Sequence, residues 1–291
     1  MKFGCCIQKI QDLSLVKEAG YDFFEFSGTV VASMEERDFL HFAELAQEIG
    51  LPCIGFNSYC NGTPVIVGDR FSPQNISAYA QKVCKRGALL GAAAIHIGSP
   101  AARRLPPSYP HELAVQQCLQ FLQITADIAK EYGLQVRFEA LNDHCSDFVN
   151  SIEEAVQLVQ GSSLEQGGLV LDFFHIQVMG EPFSQVEAAL PYLCHVHIST
   201  CGPHWERGYP QEQDRDTYTQ IFSWLKRHGY TQTVSIEADT FTYEDAKKSL
   251  SLLREIDQKS DFSMDPVSKS KPPVQLVVCT APRRGNCGLH P

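Results

Sequence analysis

No stretch of the chain comes near the roughly 18 consecutive apolar positions that span a bilayer. The opening segment MKFGCCIQKIQD turns polar at once, which argues against a secretory signal. Basic residues are scarce: 24 Lys and Arg against 34 Asp and Glu leave a formal charge of −10. A surface that neutralises phosphates needs the opposite balance, so neither nucleic acid nor an anionic membrane is an expected partner. Nucleotide signatures are missing too, with no G-x-G-x-x-G after the first β-rich run and no G-x-x-x-x-G-K-[ST] anywhere. The 11 cysteines include no C-x-x-C pair, which disfavours a structural zinc site. Cys53, Cys84, Cys118 and Cys194 stand singly in apolar segments of a chain large enough not to need disulfide staples. Most of the cysteines are expected to be small buried thiols of a cytoplasmic protein.

What is present is a rhythm. Strands are expected at 2–8, 21–27, 52–59, 92–99, 134–142, 168–176, 194–200 and 233–239. Helices are expected at 12–19, 35–50, 76–90, 111–132, 151–160, 183–193, 217–229 and 242–258. Phe39, Phe42, Ala43 and Ala46 follow the i, i+3, i+4, i+7 spacing of one buried helical stripe. Ser151 and Glu154 have the spacing of a capping box. Strand–helix alternation of this kind is the pattern of a (β/α)8 TIM barrel, expected as a single domain over 1–260. A doubly wound open sheet is the competitor, disfavoured by the missing nucleotide motifs. Residues 261–291 break the pattern and are expected to be an irregular, mobile C-terminal tail, with 274–281 as one stray strand.

In such a barrel the site lies at the C-terminal strand ends. Strand five ends in FEALN and offers Glu139, and strand six, LDFFHI, offers Asp172 and His175. Strand seven is HVHIST, with His195 and His197 two apart and pointing the same way. Strand eight, SIEAD, offers Glu237 and Asp239. A carboxylate in a buried apolar strand is costly unless it is paired or binds a cation. Convergence of such groups from four successive strands would make a mixed O/N site for one divalent metal ion, with Mn²⁺, Co²⁺ or Mg²⁺ suited better than thiolate-loving metals. His96, alone on its strand, reads as a satisfied core histidine.

The ordered set FEALNDHCSDFVNSIEEAVQLV, LDFFH, HVHIST and GYTQTVSIEAD resembles the xylose-isomerase-like barrel superfamily, and within it the sugar phosphate isomerase/epimerase group. The resemblance runs from residue 1 to about 258. It implies a metal held by Glu139, Asp172, His197 and Glu237, with Glu139 and Glu237 also serving as catalytic acid and base. It places His195 deeper, as support, and His175 on a substrate hydroxyl. The implied activity is a divalent-metal-dependent isomerase or epimerase acting on a small sugar, keto-sugar or polyol. Proton transfer would run through a metal-stabilised enediolate. The alternative is a lyase on the same scaffold, inosose dehydratase-like or a C-glycoside-cleaving subunit. An endonuclease of the superfamily and a non-catalytic subunit are further options, the former opposed by the acidic balance. Association as a homo-oligomer or hetero-subunit also accords with the resemblance.

The sequence departs from the ketose epimerases at two places. Their substrate-contacting glutamate, six residues after the strand-five ligand, is replaced by Cys145, with His144 beside it. Their arginine, six residues after the strand-seven histidine, is replaced by Pro203, and Arg207 four residues on is the candidate to fill its role. His144 and Arg207 thus join His175 as substrate-binding candidates. Glu25 is expected either to touch substrate or to pair inside the barrel. Arg103 and Arg104 are expected in a solvated loop or on an anionic substrate group, and Trp205 and Phe174 as pocket walls.

Overall fold

Eight parallel strands close on themselves in the computed structural model, which describes residues 1–162, Leu164 and residues 167–260. They are β1 (Lys2–Ile7), β2 (Phe23–Ser27), β3 (Cys53–Asn57), β4 (Ala94–Ile97), β5 (Gln135–Glu139), β6 (Gly168–Asp172), β7 (Leu193–Ile198) and β10 (Thr233–Ile236). The last pairs with both β7 and β1, so the sheet has no free edge and the open-sheet alternative is excluded. The tail expected at 261–291, with its stray strand, lies outside the described residues.

Strands covered on both faces read as near-continuous apolar runs. All five residues of FFEFS in β2 and of GLVLD in β6 are buried. Around the barrel lie α1 (Asp12–Ala19), α2 (Gly28–Ser33), α3 (Glu36–Ile49), α4 (Pro73–Leu90), α5 (His111–Glu131), α6 (Ile152–Gly161), α7 (Phe173–Met179), α8 (Phe183–Val186), α9 (Arg215–Arg227) and α10 (Tyr243–Lys259). The stripe expected on α3 packs inward: Phe39 and Phe42 are fully buried and contribute roughly 1.5–3 kcal/mol each. Both halves of the Ser151–Glu154 capping box form at the start of α6. No described helix is long and apolar enough to cross a membrane.

Four expectations need correction. The strand expected over 168–176 stops at Asp172, whose side chain accepts from the Phe174 N–H and starts α7. The helix expected over 183–193 is α8 followed by a 3-10 turn, Glu187–Tyr192, containing Pro191, whose ring nitrogen cannot donate. Between β7 and α9 a two-stranded hairpin forms, β8 (Thr200–Cys201) against β9 (Arg207–Gly208). Finally, among the described residues eight cysteines are free, six of them buried, but Cys201 is disulfide-bonded, against the rejection of a disulfide reading.

Candidate metal and sugar site

Parallel register sets the floor of the site. Cys6 pairs with Glu25, Glu25 with Gly55, His96 with Arg137, Asp172 with His197, and His197 with Ser235. Glu25, fully buried, accepts hydrogen bonds from His96 Nδ1 and His195 Nε2, each at 2.7 Å, and from the Ser235 hydroxyl. The Nε2 of His197 lies 3.2 Å from the same carboxylate. Burial alone would raise the Glu25 pKa, but His197, His96 and His195 outweigh it and hold the carboxyl well below its ordinary value. The interior-pairing reading of Glu25 is therefore the correct one, and His96 is a satisfied core histidine.

The consequence appears one layer up. With Nε2–H directed at Glu25, His197 turns Nδ1 toward the carboxylates of the next layer. That atom lies 3.5 Å from Glu139 Oε1 and 3.6 Å from Glu237 Oε2. Both His197 Nδ1 and Glu139 Oε1 are buried without a hydrogen-bond partner. Two such buried atoms facing each other are unfavourable unless a proton or a metal ion lies between them; burial would lower the His197 pKa, but Glu25 and Glu237 raise it well above its ordinary value, so a proton takes that place where no metal is bound. One ligand atom from each of Glu139, Asp172, His197 and Glu237 falls within 4.8 Å of the others, so the residues fit a divalent ion with three oxygen donors and one nitrogen.

The surrounding groups fix each carboxylate. Asp172 accepts from the Phe174 N–H at 2.8 Å and from Arg207 Nη2 at 2.5 Å. Burial would raise its pKa, but the Arg207 guanidinium overrides that and draws it down to about 2. Glu237 accepts from Asn57 Nδ2 at 2.7 Å and meets Arg207 Nη2 at 2.7 Å. Burial pushes Glu139 up to about 7, against the pull of His197. His175 accepts at Nδ1 from the backbone N–H of Asn142 at 3.2 Å and from its side-chain amide at 2.8 Å. Its Nε2 therefore carries the proton, 3.7 Å from Asp172, and burial holds the ring neutral with a pKa near about 3.

Arg207 reaches the floor because the β8–β9 hairpin folds it back, in register with Cys201. Its Nε donates to the Glu237 carbonyl at 2.9 Å and its guanidinium covers Phe174 at 4.6 Å. Arg103 is not in a solvated loop. It is fully buried, donates to the Glu139 carbonyl at 2.8 Å and lies over Phe138, and burial lowers its pKa to about 10. It thus secures the end of β5 from behind.

Above these groups opens a cavity of about 490 Å³, lined by Glu139, His175, Arg207 and Glu237 with Phe174, Trp205 and His144 among its walls. His144 and Trp205 are half-buried and pack with ring centroids 4.2 Å apart, tilted by 30°. Asn57, Asn142 and Cys6 also line the cavity and were missed in the sequence. Asn57 follows the rule that found the others, a polar side chain ending an apolar strand, but carries no charge to draw attention to it, and Asn142 lies three residues past the end of β5.

A Cβ at Gly98 would fall 2.4 Å from Glu139 Oε2. Gly98→Ala is therefore expected to displace that carboxylate and weaken metal binding by about tenfold or more, with little change in the thermal transition. Calorimetric titration with Mn²⁺ beside a melting curve checks both halves.

Among curated proteins, the inosose isomerase of Halalkalibacterium halodurans is 30% identical over 130 residues, 42% of this chain and 45% of that one. The chain thus spans less than half of that relative's length in alignment. The structure of D-psicose 3-epimerase with D-tagatose from Clostridium cellulolyticum H10 superposes with a TM-score of 0.74 at 16% identity, covering 88% of this chain and 99% of that one. That of the IOLI protein with a bound zinc atom gives 0.71 at 20% identity, covering 91% and 100%. At such identities the agreement is one of fold. The xylose isomerase-like TIM barrel family matches residues 13–256, nearly the whole described barrel, and the chain belongs to that family.

Proposed function

We propose that this protein is a divalent-metal-dependent isomerase or epimerase acting on a small sugar, keto-sugar or polyol. The observation that carries the reading is the pair of buried polar atoms without a hydrogen-bond partner, His197 Nδ1 and Glu139 Oε1, facing each other beside Asp172 and Glu237. Those four residues hold the metal, and a set of three carboxylates and one imidazole favours Mn²⁺ as the resident ion, ahead of Co²⁺ or Mg²⁺. The relatives named as an inosose isomerase and a psicose epimerase support a sugar or polyol as substrate. The eight free cysteines support a reducing, cytoplasmic setting, Cys201 excepted.

Bound there, a divalent ion supplies Lewis-acid polarisation of a carbonyl and its neighbouring hydroxyl. The protein supplies the proton chemistry. Glu139 and Glu237 flank His197 Nδ1 at 3.5 and 3.6 Å, on strands separated by β6 and β7. Two carboxylates so placed can remove a proton from one face of a carbon and return one to the other. His175 Nε2–H and Arg207 donate to substrate hydroxyls, and the aromatic walls limit water.

In D₂O, the metal-loaded protein is expected to place deuterium on the carbon next to the carbonyl of a keto-sugar, without loss of water or an aglycone. A dehydrated or cleaved product would establish the lyase instead. Metal affinity carries its own pH signature. Because the folded-state pKa of Glu139 is raised to about 7, the ion must displace its proton below that pH. The dissociation constant should rise by at least about tenfold per pH unit as pH falls below 7, since the proton of His197, whose pKa Glu25 and Glu237 raise against the effect of burial, is displaced as well. A profile flat from pH 5 to 8 would remove Glu139 from the ligand set.

A further inference from the structure

We propose that Arg207 competes with the divalent ion for the carboxylates of the site, and so holds metal affinity below what the four ligands alone would give. The proposal rests on the metal site read above and concerns the tuning of that same site.

The competition shows in which oxygens Arg207 takes. Glu237 turns Oε2 toward His197 Nδ1 at 3.6 Å, while its Oε1 accepts from Asn57 Nδ2. Asp172 Oδ1 accepts from the Phe174 N–H, which leaves Oδ2 as the oxygen for the site. Both of these oxygens meet one and the same nitrogen, Arg207 Nη2, at 2.7 Å from Glu237 and 2.5 Å from Asp172. One end of the guanidinium thus bridges two carboxylates that the ion needs as donors.

The charges point the same way. Three of the four ligands, Glu139, Asp172 and Glu237, are carboxylates. Among the described residues, Arg207 is the one Lys or Arg that lines the cavity around them. An arriving divalent ion is drawn by the three acids and repelled by the one guanidinium. Arginine stays charged across the whole working pH range, so only movement of the side chain can relieve that repulsion.

The fold permits a movement of the right kind. The Arg207 N–H donates to Asp239 Oδ2 at 2.8 Å, and the Arg207 carbonyl accepts from the Asp239 N–H at 2.9 Å. Nε donates to the Glu237 carbonyl at 2.9 Å. These bonds anchor the hairpin and the stem of the side chain, so withdrawal is a pivot of the guanidinium tip rather than an opening of the hairpin. Phe174 lies 4.6 Å from the guanidinium carbon, and an aromatic face can receive a cation that has left its carboxylates. After the pivot the terminal N–H groups have lost their carboxylate partners and are available to a substrate oxygen. One step then admits the ion and readies the arginine for substrate.

Calorimetric titration of Mn²⁺ into the full chain at pH 8 tests this. Arg207→Gln, which removes the charge, is expected to bind the ion at least about tenfold more tightly than the wild type. Arg207→Lys keeps a cation on a stem of similar reach and should stay within about threefold of the wild type. Arg207→Met repeats the neutral test should the glutamine variant fail to fold. Unchanged affinity in the neutral variants would show that Arg207 serves substrate alone. Weaker binding would show that it supports the carboxylates for the ion. Either result overturns the proposal, and so does an equal gain in Arg207→Lys, which would trace the effect to vacated space instead of charge. In all three cases the wild type still takes up Mn²⁺, and the metal reading stands. Absence of binding in the wild type and the neutral variants alike sinks both.

Discussion

Glu237→Gln is expected to lower turnover by about three orders of magnitude while the barrel stays folded. The amide keeps the shape and can still accept from Asn57, which now donates at 2.7 Å. It loses the negative charge beside His197 Nδ1 and with it both a metal donor and a proton carrier. Glu139→Gln should be equally damaging to activity but opposite in its effect on stability. Burial raises the Glu139 pKa to about 7, so in the metal-free protein ionising it opposes folding once pH exceeds its unfolded value. Removing that charge should raise the metal-free melting temperature at pH 8 and change it little at pH 4. Retention of most activity in either variant would refute the acid–base assignment.

Glu25→Ala is expected to cost about 3–5 kcal/mol of stability, the range for breaking a buried charged network by removing one partner. His96, His195, His197 and Ser235 all direct a polar atom at this carboxylate, and none is accessible to water as a substitute. Glu25→Gln is gentler and separates the second effect. It keeps the volume but weakens the acceptor that holds His197 Nε2–H, so the imidazole no longer presents Nδ1 in one fixed orientation. Metal affinity should fall by about 10–100-fold. Chemical denaturation of the alanine variant and metal titration of the glutamine variant measure the two separately. Unchanged metal affinity in Glu25→Gln would show that the floor supports the fold alone.

The barrel was legible because each strand is buried on both faces and so appears as an apolar run. The carboxylates were legible because each interrupts such a run. His175 was found for the wrong geometric reason. Read as part of a strand, it would lie three residues from Asp172 and point to the opposite face. In the structure α7 begins at Phe173, and the i, i+3 spacing of a helix returns His175 to within 3.7 Å of Asp172. The apolar run FFHI suits either element, and the Asp172 cap decides between them.

What was not legible depends on contacts distant in sequence. The partner set of Glu25 joins β2, β4, β7 and β10, and only closure with a definite register reveals it. The position of Arg207 depends on a hairpin with two residues in each strand, too short to show any alternation. Arg103 looked like a loop residue because its partners are a backbone carbonyl and a phenyl ring, neither of which leaves a mark in composition.

Metal stoichiometry decides the central claim. Protein stripped with chelator, reloaded with excess Mn²⁺ and freed of unbound ion should contain one ion per chain by elemental analysis, and an Asp172→Asn, His197→Ala double variant none. An empty wild-type protein, or an ion retained by the double variant, would contradict a site built from Glu139, Asp172, His197 and Glu237.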